Sequence, residues 1–262
     1  MGKSVMMITI LFLCALEDIC QDPVNFTLLH SAVPKGAVCL DGTPPAYAYS
    51  EGFGDGSTNW IIFLEGGGWC ALEGDGLENC QERSKSYYYY GSTDKKYFVQ
   101  GYNFTGILTS DSQINPNFYN WHKVYVHYCD GSMNGKCPKC YLDGLLSSKC
   151  ISDSGFFIRE EGELARQSGW HFAQVIATHE LGALLPRSCT RKRDPNLCLF
   201  AEYLVEDVAT PLFLVESTFD IYQIEYNLKL TAPDLNWDNC LSHLGTVQCY
   251  RNRNLERFWT YF

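Results

Sequence analysis

NWIIFLEGGGWC, Asn59 to Cys70, passes from an apolar, β-branched run straight into three glycines. Trp60–Leu64 has the length and composition of a buried strand, and Glu65 to Trp69 reads as the loop that follows it. Consecutive glycines after a strand leave backbone N–H groups open to a ligand, because no Cβ blocks the approach and unusual φ angles cost little. Two further apolar runs repeat the pattern. KVYVHY (Lys123–Tyr128) ends in CDGS, and PLFLV (Pro211–Val215) ends in ESTFD. Short apolar strands that each end in a polar turn predict a mostly parallel sheet, with ligands held at the strands' C-terminal ends. Helical patterns fall around 159–182 and 199–208, so the fold class is α/β.

The chain has 262 residues, of which 46% are hydrophobic and 19% charged. That is enough for one domain with a real core, and it excludes a disordered chain. Residues 1–20 carry an early lysine and an apolar run from Val5 to Leu16, too short to cross a bilayer. They read as a signal peptide cleaved before Pro23, the alternative being a short membrane anchor. Residues 23–262 then form the domain. Thirteen cysteines and the two sequons at Asn25 and Asn103 fit a secreted, disulfide-stapled, glycosylated protein. A formal charge of −10 argues against nucleic acid and anionic membrane as partners. After signal cleavage no membrane contact is expected, and the expected state is a monomer. SKSYYYYGS (Ser84–Ser92) reads as a loop of half-buried tyrosines, with a sugar-stacking surface as the alternative.

A glycine loop after a strand supplies part of the oxyanion hole in esterases of the α/β-hydrolase plan. Such a loop needs a serine nucleophile, a histidine base and a carboxylate that fixes the histidine's tautomer. No G-x-S-x-G occurs in the chain. Ser132, in CDGS, follows a strand, but Asp130-Gly131-Ser132 also reads as a turn that ends it. His243 reads as a loop histidine. His122 and His127 flank a strand, and His171 and His179 lie in the helical region.

Five ordered blocks carry a family resemblance: KGAVCLDGTPPAY (Lys35–Tyr47), NWIIFLEGGGWC, GILTSDSQINPNFYNWHKVYVHYCDGS (Gly106–Ser132), KCISDSGFF (Lys149–Phe157) and TPLFLVESTFDIYQI (Thr210–Ile224). Together they resemble plant pectin acetylesterases, relatives of the animal lipid deacylase Notum. The resemblance implies an α/β-hydrolase-like fold, a Ser–Asp–His triad in that chain order, and removal of acetyl groups from esterified homogalacturonan in the cell wall. It implies no metal and no organic cofactor. It places Asp220, in STFD, at the triad aspartate and Gly66 and Gly67 in the oxyanion loop. The family's serine elbow, G-C-S-A-G-G, belongs downstream of CDGS. Only twenty residues separate Cys129 from Cys150, too few for the crossovers and strand that present it. The resemblance places the family's histidine beyond Arg251–Phe262. The nucleophile is therefore assigned to no residue, and the alternative function is a catalytically inactive, truncated relative or a non-catalytic pectin binder. Loss of a central strand exposes strand edges and predicts poor folding.

The same resemblance implies disulfides Cys39–Cys129, Cys70–Cys80, Cys150–Cys240 and Cys189–Cys198. Cys137, Cys140 and Cys249 receive no partner. Cys137-Pro-Lys-Cys140 has the spacing of half a redox or zinc site, but no second half accompanies it.

Overall fold

The computed structural model describes residues 23–71, 78–85, 90–96, 98, 101–132, 149–153, 163–205, 208 and 210–215. Its strands are β1 (Val24–Leu28), β2 (Ala46–Ser50), β3 (Trp60–Leu64), β4 (Cys70–Ala71), β5 (Glu78–Asn79), β6 (Gly101–Tyr102), β7 (His122–Val126), β8 (Cys150–Asp153) and β9 (Leu212–Val215). Its helices are α1 (Cys80–Arg83), α2 (Glu163–Thr178), α3 (Arg187–Thr190) and α4 (Ala201–Leu204), with short 3-10 turns between them. No described helix is long and apolar enough to cross a membrane. The chain divides into two compact units, one of residues 1–68 and 80–134, the other of residues 69–79 and 135–262.

The first unit is built on a five-stranded sheet in the order β3-β7-β2-β1-β6. β3 and β7 run parallel, with Trp60 opposite His122 and Leu64 opposite Val126. The other three pairings are antiparallel. This sheet is therefore mixed where the sequence predicts a mostly parallel one: its parallel part is the pair of apolar runs read from the sequence. The antiparallel part comes from VNFTL and AYAYS, whose alternation of inward and outward residues has the period of two that suits a half-buried strand.

One face of this sheet holds the core. Ala48, Phe104, Leu108 and Tyr125 are buried together, with Val24, Phe26, Ile61 and Tyr102 packed on them. The Tyr102 and Tyr125 rings stack at 3.8 Å. Lys123 points to the same face and is fully buried. Its Nζ donates to the Tyr119 carbonyl at 2.6 Å and to Ser110 Oγ at 3.0 Å. Burial pulls the ammonium below the ordinary lysine range. Among the described strands β3 is the outermost on its side, and Trp60, Ile62, Phe63 and Leu64 are all exposed along it.

In the second unit, β8 and β9 pair in parallel, with Cys150 opposite Leu212 and Asp153 opposite Val215. β9 is the third apolar run of the sequence, and β8 lies in the block KCISDSGFF, whose short polar-apolar run carries no strong strand signal. β4 and β5 form a second, very short parallel pair. α2 falls within the helical pattern expected at 159–182. Its buried residues, His171, Phe172, Val175 and Ile176, sit one turn apart on a single stripe. Phe172 stacks on Phe200 at 4.1 Å and tilts against Trp69 at 5.7 Å. The Cys189–Cys198 disulfide joins the turns beyond this helix.

Candidate active site

The parallel pairing of β3 with β7 sends both chains out of the sheet at the same end. The glycine loop follows Leu64, and CDGS follows β7 by two residues, so the fold brings the two turns together. The ladder continues one step past β3, where the Glu65 N–H donates to the Val126 carbonyl at 3.1 Å. That step places the Glu65 side chain beside the first residues after β7. Oε2 of Glu65 accepts from His127 Nδ1 at 2.7 Å and from the Tyr128 backbone N–H at 2.8 Å.

This carboxylate is half-enclosed, and burial alone would raise its pKa. Hydrogen bonds from His127 and Tyr125, the charge of His127 and the Tyr128 N–H outweigh burial, so the value falls below the ordinary 4.5. The Tyr125 phenol moves the other way. Burial, and its place beside the Glu65 carboxylate, push its pKa well above the usual tyrosine range. His127 is buried, and its ring lies against Phe98 at 4.9 Å and edge-on to Phe26 at 5.7 Å. Its second nitrogen, Nε2, has no hydrogen-bond partner among the described residues. The role of Glu65 in FLEGGG is therefore to fasten the start of the glycine loop to the end of β7.

Tyr128 fastens the rest of the loop. Its hydroxyl lies 2.6 Å from the Gly68 carbonyl and 2.7 Å from the Ser132 carbonyl, bridging the two turns with one proton. Its ring covers Gly67. A Cβ on Gly67 would meet Tyr128 Cδ1 and Cε1 at 2.5 Å and Arg83 Nη2 at 3.3 Å, so the residue must be glycine. Gly66 differs. A Cβ there would meet no atom within 4 Å, so its backbone is open to approach. Arg83, at the end of α1, is buried behind this loop. Its guanidinium carbon sits 5.3 Å from the Tyr90 ring and 5.2 Å from the Tyr128 ring.

Ser132 is 1% exposed, and its hydroxyl donates to Asp130 Oδ2 at 2.7 Å. The Ser132 N–H donates to the same carboxylate, on Oδ1, at 3.2 Å. Asp130-Gly131-Ser132 is thus a side-chain-closed turn, with Gly131 at φ 64°. Among the histidines, His122 Nδ1 accepts from the Gly52 N–H at 3.0 Å, lies 2.7 Å from the Tyr49 hydroxyl, and leaves Nε2 facing the Ser57 carbonyl at 3.0 Å. His179 Nε2 lies 3.0 Å from the Cys70 carbonyl. Asp220, His243, Cys137, Cys140, Cys240 and Cys249 lie outside the described residues. Cys39 and Cys129 are joined by a disulfide, and Cys70, Cys80 and Cys150 are each disulfide-bonded, so none of these offers a free thiolate.

The sequence marks the loop but not what holds it. Glu65, His127, Tyr128 and Arg83 become neighbours only through the register of strands 62 residues apart. The available signal was the alternation Lys123, Tyr125, His127, which lines up polar-tipped side chains on one face of β7.

Comparison with solved structures defines the class. The fold is similar to that of the Wnt deacylase Notum from Drosophila, with a TM-score of 0.65 at 18% identity, covering 88% of this chain and 82% of that one. A second crystal form of the same protein gives 0.64 at 20% identity. The architecture is therefore α/β-hydrolase-like. Sequence comparison narrows this. The family model described as Pectinacetylesterase matches residues 18–140 and 139–262. The chain belongs to this pectinacetylesterase family of carboxylic-ester hydrolases. It is 33% identical to pectin acetylesterase 7 of Arabidopsis thaliana, covering 88% of this chain and 73% of the relative. Pectin acetylesterase 11 of the same plant is 32% identical with 88% and 74% covered. The palmitoleoyl-protein carboxylesterase notum1a of Danio rerio is 35% identical over 132 residues, covering 48% of this chain and 25% of that protein. The alignment with pectin acetylesterase 7 runs over 297 positions, more than the 262 residues of this chain, so the relative carries residues inside the matched span that this chain lacks.

Proposed function

We propose that the ligand of this chain is acetylated homogalacturonan of the cell wall, met after secretion, and that the reaction to be tested on it is hydrolysis of the acetyl ester. The observation that carries this reading is the extent of the match. Relatives named pectin acetylesterase align with 88% of the chain, whereas those named palmitoleoyl-protein carboxylesterase align with about half or less. In this reading Gly66 and Gly67 provide the backbone N–H groups that face the developing oxyanion, and Asp220 is the carboxylate of the triad.

A second reading has its own support: a relative that binds acetylated pectin without cleaving it. The Ser132 hydroxyl is engaged by Asp130. The family model matches in two stretches that meet at residues 139–140. Among the described residues, β3, the strand before the glycine loop, is at the outer edge of its sheet, where a further parallel strand would pair. In this reading, loss of the segment that presents the serine accounts for the last two, and Ser132, held in its own turn, does not take the serine's place.

One experiment separates the readings. The secreted protein is incubated with acetylated homogalacturonan, released acetate is measured, and retention on the immobilised polymer is followed in parallel. Acetate release that disappears in Asp220→Asn supports hydrolysis. Retention without release supports the binder. Neither retention nor release overturns the pectin assignment.

A further inference from the structure

The tripeptide Asn-Phe-Thr occurs twice, at 25–27 and 103–105, and the fold sets the two copies side by side. β1 and β6 pair antiparallel, with Val24 opposite Tyr102 and Asn25 opposite Gly101. Phe26, Tyr102 and Phe104 all turn into the core. Alternation then turns Asn25, Thr27, Asn103 and Thr105 outward, and all four are exposed. Asn103 stands two residues past the partner of Asn25. That is close to the diagonal position of an antiparallel pair, about 7–8 Å away. β6 is the last strand of the sheet on this side among the described residues, so its outer edge has no strand beside it.

We propose that Asn25 and Asn103 both carry N-linked glycans, seated together on the outward face of the β1–β6 pair, and that they cover the free edge of β6. The proposal rests on the secreted reading above. In the transfer, Nδ2 of each asparagine bonds to C1 of a lipid-linked oligosaccharide and loses one proton. The lipid pyrophosphate leaves with the electrons of the broken glycosyl bond. Bulky, hydrated sugars at a sheet edge do what charged residues and prolines do elsewhere: they prevent another chain from pairing with exposed N–H and C=O groups. Their site is also where a glycan costs the fold least, since the intervening phenylalanines carry the packing.

The test uses the full chain expressed in a plant secretory system. Peptide-N-glycosidase treatment in heavy-oxygen water, followed by peptide mass spectrometry, is expected to convert both asparagines to labelled aspartate. Thr27→Ala and Thr105→Ala each remove one sequon without touching the asparagine or the core. The Thr105 side chain makes no capping hydrogen bond in the turn it begins. Thr→Ser at the same positions keeps the sequons. The double alanine variant is expected to sediment as aggregate several-fold more than the double serine variant. Secreted, signal-cleaved protein with an unmodified asparagine at either site overturns the two-glycan claim. Equal solubility of the two double variants overturns the role at the edge. Protein retained in the cell with residues 1–20 uncleaved overturns both and identifies the secreted reading as the cause.

Discussion

Glu65 and His127 face each other across the parallel pair of β3 and β7, with the carboxylate Oε2 2.7 Å from the ring Nδ1. The contact follows from register. Leu64 lies opposite Val126, so the next residue of each chain emerges at the same level. His127→Ala removes one of the donors to a half-enclosed carboxylate and opens a void beside Phe26 and Phe98. Leaving a buried acceptor short of a partner costs about 1–3 kcal/mol. Chemical denaturation is expected to show a loss of that order, and an unchanged midpoint would show that the pair contributes nothing.

The same carboxylate gives the fold an acid limit. Its pKa in the folded protein lies below the ordinary value of 4.5. The stabilisation it brings is complete above the ordinary value and is lost as pH falls through the lowered one. Glu65→Gln cannot titrate. The variant is expected to be less stable than wild type near neutrality and to lose less stability on acidification. Parallel slopes of stability against pH for the two proteins would contradict this.

Gly67 and Gly66 separate packing from approach. Alanine at 67 drives a Cβ into the Tyr128 ring at 2.5 Å, whereas alanine at 66 meets nothing within 4 Å. Overpacking of this kind costs about 1–3 kcal/mol. Gly67→Ala is expected to lower the thermal midpoint by several degrees, and Gly66→Ala to leave it nearly unchanged. If the two variants melt together, the Tyr128 lid is not what requires glycine.

Ser132 closes a turn, because its hydroxyl proton is committed to Asp130. A fluorophosphonate probe is expected to leave Ser132 unlabelled, and Ser132→Ala is expected to leave any acetate release unchanged. A labelled peptide containing Ser132 would make it the nucleophile.

The Cys39–Cys129 disulfide ties the loop before β2 to the turn after β7, across a separation of 90 residues. Removing a bridge of this kind costs about 2–5 kcal/mol. A Cys39→Ser, Cys129→Ser protein is expected to unfold at correspondingly lower denaturant, and equal midpoints would show the bridge to be dispensable.

The apolar runs at β3, β7 and β9 were legible because a parallel strand needs near-continuous Val, Ile, Leu and aromatic residues. α2 was legible from its stripe. β1, β2 and β6 were not, because VNFTL, AYAYS and GY are short, and half of their residues face outward. The glycine loop was legible as a loop at the end of a strand, but three glycines there often form only a tight turn, and its oxyanion role came from the family resemblance. The partners that fix it were not. Tyr128 and Arg83 reach Gly67 through the fold, and nothing within a local window of sequence marks a buried arginine as such. The continuous run of β3 suggested a strand enclosed on both sides, yet Trp60 is 48% exposed and Leu64 44%. The reason is position: β3 has β7 on one side and no described strand on the other.

Both readings of function share the claim that this chain recognises acetylated homogalacturonan. The most direct measurement is isothermal titration of the secreted protein with acetylated homogalacturonan, and with the same polymer after alkaline removal of its acetyl groups. Saturable binding that weakens at least several-fold on deacetylation is the predicted result. Equal binding to both polymers, or binding to neither, would contradict the account.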